Sequence, residues 1–160
     1  MDTLGEINER EILYLPIRQT NKWVDNVPKG NWLAVTICDT KDKELLDKVT
    51  NTCLDNNVNY ICTLGQECEW IHDWFDETIL LRRIKNGQPI SSPDDFDEDP
   101  MTTWHTDFDE GFWFALSSAY PTINDEYIRV DKVVCLDMTT EGVKQRLRDL
   151  VMKINAGWLP

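Results

Sequence analysis

Four short apolar runs of strand length alternate with four helical patterns along the chain. The runs cover residues 31–38, 58–63, 101–106 and 132–137, and the first is almost continuously apolar and β-branched, as in strands that are covered on both faces. Between and after the runs, apolar residues recur at spacings of three and four, the period of a helix with one buried face. The alternation predicts an α/β fold, a small three-layer α/β/α domain with a mainly parallel four-stranded sheet.

Polar residues mark where the predicted helices begin. A T-x-x-Q sequence at Thr63 has the form of a capping box and opens a predicted helix over residues 66–85. Asp107 and Glu110 form a second capping-box candidate ahead of a short, very apolar helix. Residues 11–17 are interpreted as a possible extra N-terminal edge strand, because the proline within them limits pairing.

Length and charge restrict the classes of protein to consider. The 160 residues predict a single domain, 1–160. The net charge of −13 argues against nucleic-acid binding by phosphate neutralisation and against anionic membrane surfaces. Between residues 86 and 128 there are ten acids and no Lys or Arg. Within that segment, residues 86–100 are predicted to form an acidic, Pro-containing loop, because adjacent carboxylates repel one another in a compact arrangement.

The termini and the cysteines point to a reducing compartment. No secretory signal is visible at the N-terminus, and no apolar run approaches the ~20 residues of a membrane span. The five cysteines are an odd number and include no C-x-x-C pair, so they are expected to be small buried hydrophobes. A cytoplasmic protein without membrane contact is expected.

In open parallel sheets, ligands bind beyond the carboxyl ends of the strands. Here those ends present Asp39, Thr40, Gly65, Glu67, His105, Asp107, Asp137, Thr139 and Thr140. The chain has no G-x-G-x-x-G sequence and no Walker lysine. No cofactor is therefore expected.

A first candidate site is the pair Cys68 and His72, which the i, i+4 spacing places on one helix face. Such a pair could ligate zinc, with His105, Asp73 or Cys62 as a third ligand. The competing interpretation has Cys68 packed inward and the histidine partly exposed. With only two histidines in the chain, the packing interpretation is preferred and no metal ligand is assigned.

A second candidate is the row of carboxylates Asp73, Asp76 and Glu77 on the same predicted helix. Their spacings place the first beside the other two. The preferred interpretation is a solvated face balanced by Arg82 and Arg83, and the alternative is a site for a hard cation or a cationic partner.

His105 is the first candidate for acid–base chemistry. It ends a predicted strand and is followed by several carboxylates, which favour its protonated form. A hydrolase or transferase could use it with Asp73 or Asp76, or with Cys68 as nucleophile, and could depend on a metal ion. A histidine hydrogen-bonded into a loop for structural reasons is the preferred alternative.

Aromatic residues form a third candidate. Trp104 and Trp113 belong to five aromatics around the third predicted strand, too many for one short helix to bury. Exposed aromatic rings bordered by acids are typical of a protein-binding patch, and a large aromatic core is the competing interpretation. The predicted binding residues are Trp104, His105, Asp107, Asp109, Glu110, Trp113, Asp73 and Asp76.

Two stretches resemble a bacterial family of uncharacterised domains. Residues 60–77 contain G-x-x-C and D-x-x-D-E elements, and residues 101–105 read M-T-T-W-H, followed by E-G-F-W-F. The resemblance covers most of residues 31–137 and implies a shared fold and motif cluster but no activity. The positions that match are Gly65, Cys68, Asp73, Asp76, Trp104 and His105.

These observations favour a non-catalytic interaction protein, for example an immunity-type or inhibitor protein that caps a basic partner. Acidic steering would raise the association rate with a cationic surface, and aromatic anchors would supply affinity. The enzyme that uses His105 is the second hypothesis. DNA mimicry ranks third, because the densest run of acids lies in a proline-bounded loop.

Overall fold

The main sheet of the protein has six strands. A computed structural model describes residues 1–19, 21–123 and 126–160. The strands of this sheet are β1 (Asp2–Ile7), β2 (Arg10–Pro16), β3 (Trp32–Ile37), β4 (Tyr60–Leu64), β5 (Met101–His105) and β8 (Lys132–Asp137). Their order across the sheet is β1-β2-β8-β3-β4-β5, and every pair is parallel except β1 with β2. A separate two-stranded sheet pairs β6 (Thr122–Ile123) with β7 (Glu126–Tyr127) in antiparallel fashion.

Four α-helices cover the two faces of this sheet. They are α1 (Lys43–Asp55), α2 (Cys68–Lys85), α3 (Phe108–Ser117) and α4 (Lys144–Asn155). Alternate strand residues enter two separate hydrophobic clusters, one shared with α1 and α2 and the other with α3 and α4. The predicted α/β fold with three layers and a mainly parallel sheet is confirmed.

The N-terminal region differs from the prediction. The strand expected at the edge, β2, lies inside the sheet between β1 and β8. The edge strand is β1, which the sequence pattern missed because only Leu4 and Ile7 of its residues are buried. Asn8 and Glu9 join β1 to β2 with φ values of 51° and 62°, the left-handed conformation that tight hairpin turns use.

The starts of α2 and α3 differ in their capping: the predicted box at Thr63 is not formed, and of the predicted box at Asp107 the N-cap half is formed. The box at Thr63 is wrong: α2 begins at Cys68 after Glu67, and no side chain caps it. The Thr63 hydroxyl instead donates to the Cys68 carbonyl at 2.7 Å. At α3 the Asp107 side chain accepts from the backbone N–H groups of residues 109 and 110, as an N-cap does.

The acidic loop over residues 86–100 is fixed to α2 by one arginine. Arg83 is only 5% exposed, and its Nη1 donates to Asp99 Oδ2 at 2.6 Å. Its Nε donates to the Pro89 carbonyl, and its guanidinium lies 4.9 Å from the Phe96 ring centroid. The loop includes a short 3-10 helix, Pro93–Phe96. Asp125, another acid of the basic-free segment, lies outside the described residues.

Hydropathy identifies no membrane span in the described ranges, where every helix is too short or too polar to cross a bilayer.

Candidate functional site

Neighbouring strands that send their helices to opposite faces of a parallel sheet leave a crevice at their carboxyl ends. This sheet has two such positions. At the first, between β8 and β3, the crevice is bridged, because Asp39 Oδ2 accepts from both the backbone N–H and the hydroxyl of Thr140. Buried Asp137 accepts from the Tyr14 hydroxyl, from Thr139 and from the Val143 N–H. The candidate polar residues at this end therefore hold loops together.

The second position, between β4 and β5, is open. A cleft of about 740 Å³ lies there, called the strand-end cleft below. It is lined by Gly65, Gln66, Thr106, Asp107, Phe108, Asp109, Glu110, Arg146, Trp158 and Pro160. Three predicted binding residues, Asp107, Asp109 and Glu110, thus share one cavity.

An arginine from α4 crosses the strand-end cleft. Arg146 donates from Nη2 to Asp109 Oδ1 at 2.6 Å, and its guanidinium lies 3.9 Å from the centroid of the Phe108 ring. The Asp107 carboxylate accepts hydrogen bonds from backbone N–H groups at the N-terminus of α3. Two of the three acids are therefore engaged within the protein. Neither Arg146 nor Trp158 was a sequence candidate, and no local motif marks them.

The side chains of β5 alternate between the two faces of the sheet, as in any strand. Thr102 and Trp104 lie on the α2 side, where both contact His72. His105 lies on the α3 side against Phe114, with ring centroids 4.7 Å apart. The structure therefore does not bring His105 together with the carboxylates of α2.

His105 is packed tightly under α3. A Cβ at Gly111 would lie 2.4 Å from the His105 Cβ, so the helix approaches the strand as closely as glycine allows. Burial lowers the pKa of His105, with Glu110 partly opposing the shift. Its Nε2 is buried without a hydrogen-bond partner in the described structure. A lowered pKa and a tightly packed ring indicate a neutral, structural histidine.

Cys68 is also a core residue. Its side chain is 1% exposed, and burial raises the pKa of its thiol. Because the thiolate is the nucleophile and the metal ligand, both roles are disfavoured here. Across the described residues, no group of three or more His, Cys, Asp or Glu side chains is arranged to hold a metal ion.

Trp104 and the acids of α2 meet on the other side of β5. We define the β5 edge surface as Thr102 and Trp104 of β5 with His72, Asp73 and Asp76 of α2. Trp104 is 49% exposed, and its ring centroid lies 4.5 Å from that of His72. Both carboxylates are exposed. The surface therefore combines an exposed indole with two negative charges.

Hydrogen bonds hold the β5 edge surface in place. The Thr102 hydroxyl donates to Asp76 Oδ1 at 2.7 Å, and His72 Nε2 lies 3.2 Å from the same hydroxyl oxygen. A hydroxyl has one proton, so we infer that Nε2 carries a hydrogen and donates to Thr102. Nδ1 lies 3.4 Å from Asp73 Oδ1. The imidazole, only 12% exposed, thus positions Asp76 through Thr102 and lies in contact with Asp73.

The arginines expected to balance this carboxylate row are used elsewhere. Arg82 pairs with Asp55 at 2.8 Å and donates to Asn51, and Arg83 pairs with the acidic loop. Within the described ranges, His72 is the only ion-pair partner of Asp73 and Asp76. The preferred sequence interpretation, a face balanced by two arginines, is therefore wrong. The negative charge of this surface is available to a partner.

The predicted site residues consequently divide into three groups. Trp104, Asp73 and Asp76 form the β5 edge surface, whereas the acids at the start of α3 line the strand-end cleft. His105 lies under α3 and Trp113 is half-buried on α3. The sequence candidates omitted Thr102, and they considered His72 only as a zinc ligand. Period-two alternation along β5 would have identified Thr102 as a neighbour of Trp104.

Comparison with known proteins gives a family but no activity. A family model described as a domain of unknown function, DUF7684, matches residues 11–154. No curated protein matches the chain, and no solved structure does so.

Proposed function

Because the chain belongs to this DUF7684 family, which carries no assigned activity, we propose a function from the geometry: a non-catalytic protein-binding domain of the immunity or inhibitor type. It engages a basic partner through the β5 edge surface. The observation that carries this proposal is the exposed Trp104 held beside two carboxylates that no Lys or Arg of the described chain neutralises.

The physical chemistry of this surface suits a cationic protein. Tryptophan anchors dominate the affinity of many interfaces because they bury a large area at little entropic cost. Unneutralised carboxylates around such an anchor raise the association rate with a positive surface and repel acidic competitors. The hydrogen bonds among Thr102, His72 and Asp76 preorganise the surface, which lowers the entropic cost of binding.

The alternative function, a hydrolase or transferase that uses His105 with Asp73 or Asp76, lacks a supporting geometry. These groups lie on opposite sides of β5, and a general base must come within hydrogen-bond reach of its partner. Cys68 does not restore the mechanism, because it is buried and its pKa is raised.

The test compares proteins captured from a host extract at low salt on immobilised wild-type chain and on variants. The binding variants are Trp104→Ala and the double variant Asp73→Asn/Asp76→Asn. A matched control, Asp25→Asn/Glu141→Gln, removes the same charge from exposed acids elsewhere. We expect a basic protein that wild type and control retain and both binding variants lose. Equal capture by all four chains would refute the proposal.

A further inference from the structure

The last strand of the sheet, β5, has an open edge. In the described part of the chain its only strand neighbour is β4. The His105 carbonyl accepts from the Gly65 N–H, and residues 101–105 pair with residues 60–64 of β4 in unbroken register. Because backbone groups alternate in direction along a strand, Thr102 and Trp104 direct their N–H and C=O groups away from β4.

This edge lacks three of the features that usually prevent strand addition. Residues 101–105 contain no Lys and no Pro, and their register with β4 has no bulge. The opposite edge, β1, is irregular, with a register shift between Thr3 and Gly5. Natural sheets use bulges, lysines and prolines to block edge pairing. β5 is thus the edge that remains competent to pair.

The side chains beside the open edge are apolar and acidic together. Leu80 and Met101 are exposed large apolar residues, and they line a groove of about 420 Å³ with Phe96 and Asp76. The aliphatic part of a Lys or Arg can lie along such a surface while its charged end reaches a carboxylate. Trp104 adds a ring face for a cation–π contact.

We propose that the open edge of β5 binds an extended segment of a protein partner as an added strand, with Lys or Arg at alternate positions of that segment. The inference rests on the proposed function and names the element that the basic partner presents. Alternation matters because every second side chain of an added strand points to the α2 side, where Asp73 and Asp76 lie. Main-chain hydrogen bonds provide affinity, and the alternate side chains provide specificity.

Charge excludes a second copy of the chain as the occupant. Pairing of β5 with β5 of another molecule would place Asp73 and Asp76 of each copy near those of the other. Each chain already carries a net charge of −13, so association of copies works against their overall repulsion as well. A basic segment removes both penalties.

The experiment uses the full chain, labelled with ¹⁵N, and a blocked peptide of sequence TKVKVKT. We expect amide hydrogen exchange at Thr102 and Trp104 to slow by about tenfold or more on binding, as new hydrogen bonds protect these groups. Exchange at Thr103, which already faces β4, should not change. The isomer TVVKKKT has the same charge without the alternation and serves as the control.

N-methylated peptides provide a second readout without altering the protein. One version carries N-methyl groups on its lysines and the other on its valines. Only alternate amides of an added strand face β5, so one version should lose about tenfold or more in affinity and the other should retain binding. The version that fails also reports the direction of the strand.

The outcomes separate this inference from the proposed function. If TKVKVKT binds in a salt-sensitive way but both N-methylated versions bind equally and Thr102 is not protected, strand addition is overturned while acidic-surface binding stands. If TKVKVKT does not bind at low salt, strand addition is overturned as well. The proposed function fails separately, if Asp73→Asn/Asp76→Asn leaves the capture of basic proteins unchanged.

Discussion

Replacement of Gly111 by alanine should destabilise the protein, although helix propensity alone predicts the reverse. Gly111 lies within α3, where the change from glycine to alanine normally gains about 1 kcal/mol. Here the added Cβ would lie 2.4 Å from the His105 Cβ and 2.5 Å from Leu64 Cδ2, whereas real Cβ contacts essentially never fall below 3.0 Å. The His105 Cβ is fixed to a strand backbone and cannot rotate away.

The two effects can be weighed against each other. Overpacking of a close contact costs about 1–3 kcal/mol, and relief here requires a shift of α3 away from β4 and β5. The backbone has to move, so we take the upper part of that range and subtract the propensity gain. A net loss of about 2 kcal/mol corresponds to a fall in Tm of about 4–8 °C for a chain of this length.

Calorimetry and urea unfolding of Gly111→Ala measure this loss. Ser117→Ala, in the last turn of the same helix, is the control and should stay within about 0.5 kcal/mol of wild type. The double variant Gly111→Ala/Leu64→Ala should lose less stability than the sum of the single variants, because the shortened side chain relieves one contact. A Gly111→Ala variant as stable as wild type would refute the close-packing argument.

Three further predictions concern buried groups. Arg83→Gln should cost about 3 kcal/mol, the lower end of the cost of breaking a buried pair, because Asp99 loses its partner but is 24% exposed. Limited proteolysis should then cut residues 86–100 faster. Arg82→Gln, which breaks an exposed pair, should cost less than about 1 kcal/mol. Iodoacetamide at pH 8 should leave the native cysteines unlabelled, because all five are buried and burial raises the pKa of Cys62 to about 12. Mass spectrometry should show five labels on the chain unfolded in urea. Rapid labelling of the native protein would contradict the burial of the cysteines. Burial lowers the pKa of His105 below 6.5, so the unfolded chain binds this proton more readily and stability should fall as the pH drops below about 6.5. His105→Asn should show a shallower loss between pH 7.5 and pH 5.5, and identical slopes would refute that effect.

Local patterns predicted the parallel strands and their helices well. Residues 132–137 are a strand with the expected bounds, and residues 101–106 differ from β5 by one residue. Nearly continuous β-branched runs are distinctive because they suit burial on both faces. β1 gave no such signal, since three of its six residues are exposed.

The order of the strands across the sheet could not be predicted from local sequence patterns. Strand β8 is last in the chain yet lies between β2 and β3, a placement set by tertiary packing. The same ordering leaves β5 at an edge, which is the reason that Trp104 is exposed. Arg83 and Arg146 likewise reach acids far along the chain, at Asp99 and Asp109. Contacts of this kind leave no periodicity in the sequence.

The density of acids along the chain was a poor guide to where negative charge is available. Four of the ten acids in the basic-free segment are engaged within the protein, through backbone N–H groups or through arginines supplied by α2 and α4. The acids engaged in this way are Asp95, Asp99, Asp107 and Asp109.

Asp73 and Asp76 precede that segment, yet His72 alone pairs with them in the described chain. Two carboxylates face a single imidazole, which can carry at most one positive charge, so at least one net negative charge of the pair remains to attract a cation. They also stand beside an unpaired strand edge, where the same charge repels a second copy and attracts a basic segment. One pair of acids can therefore serve both to prevent self-association and to select the partner.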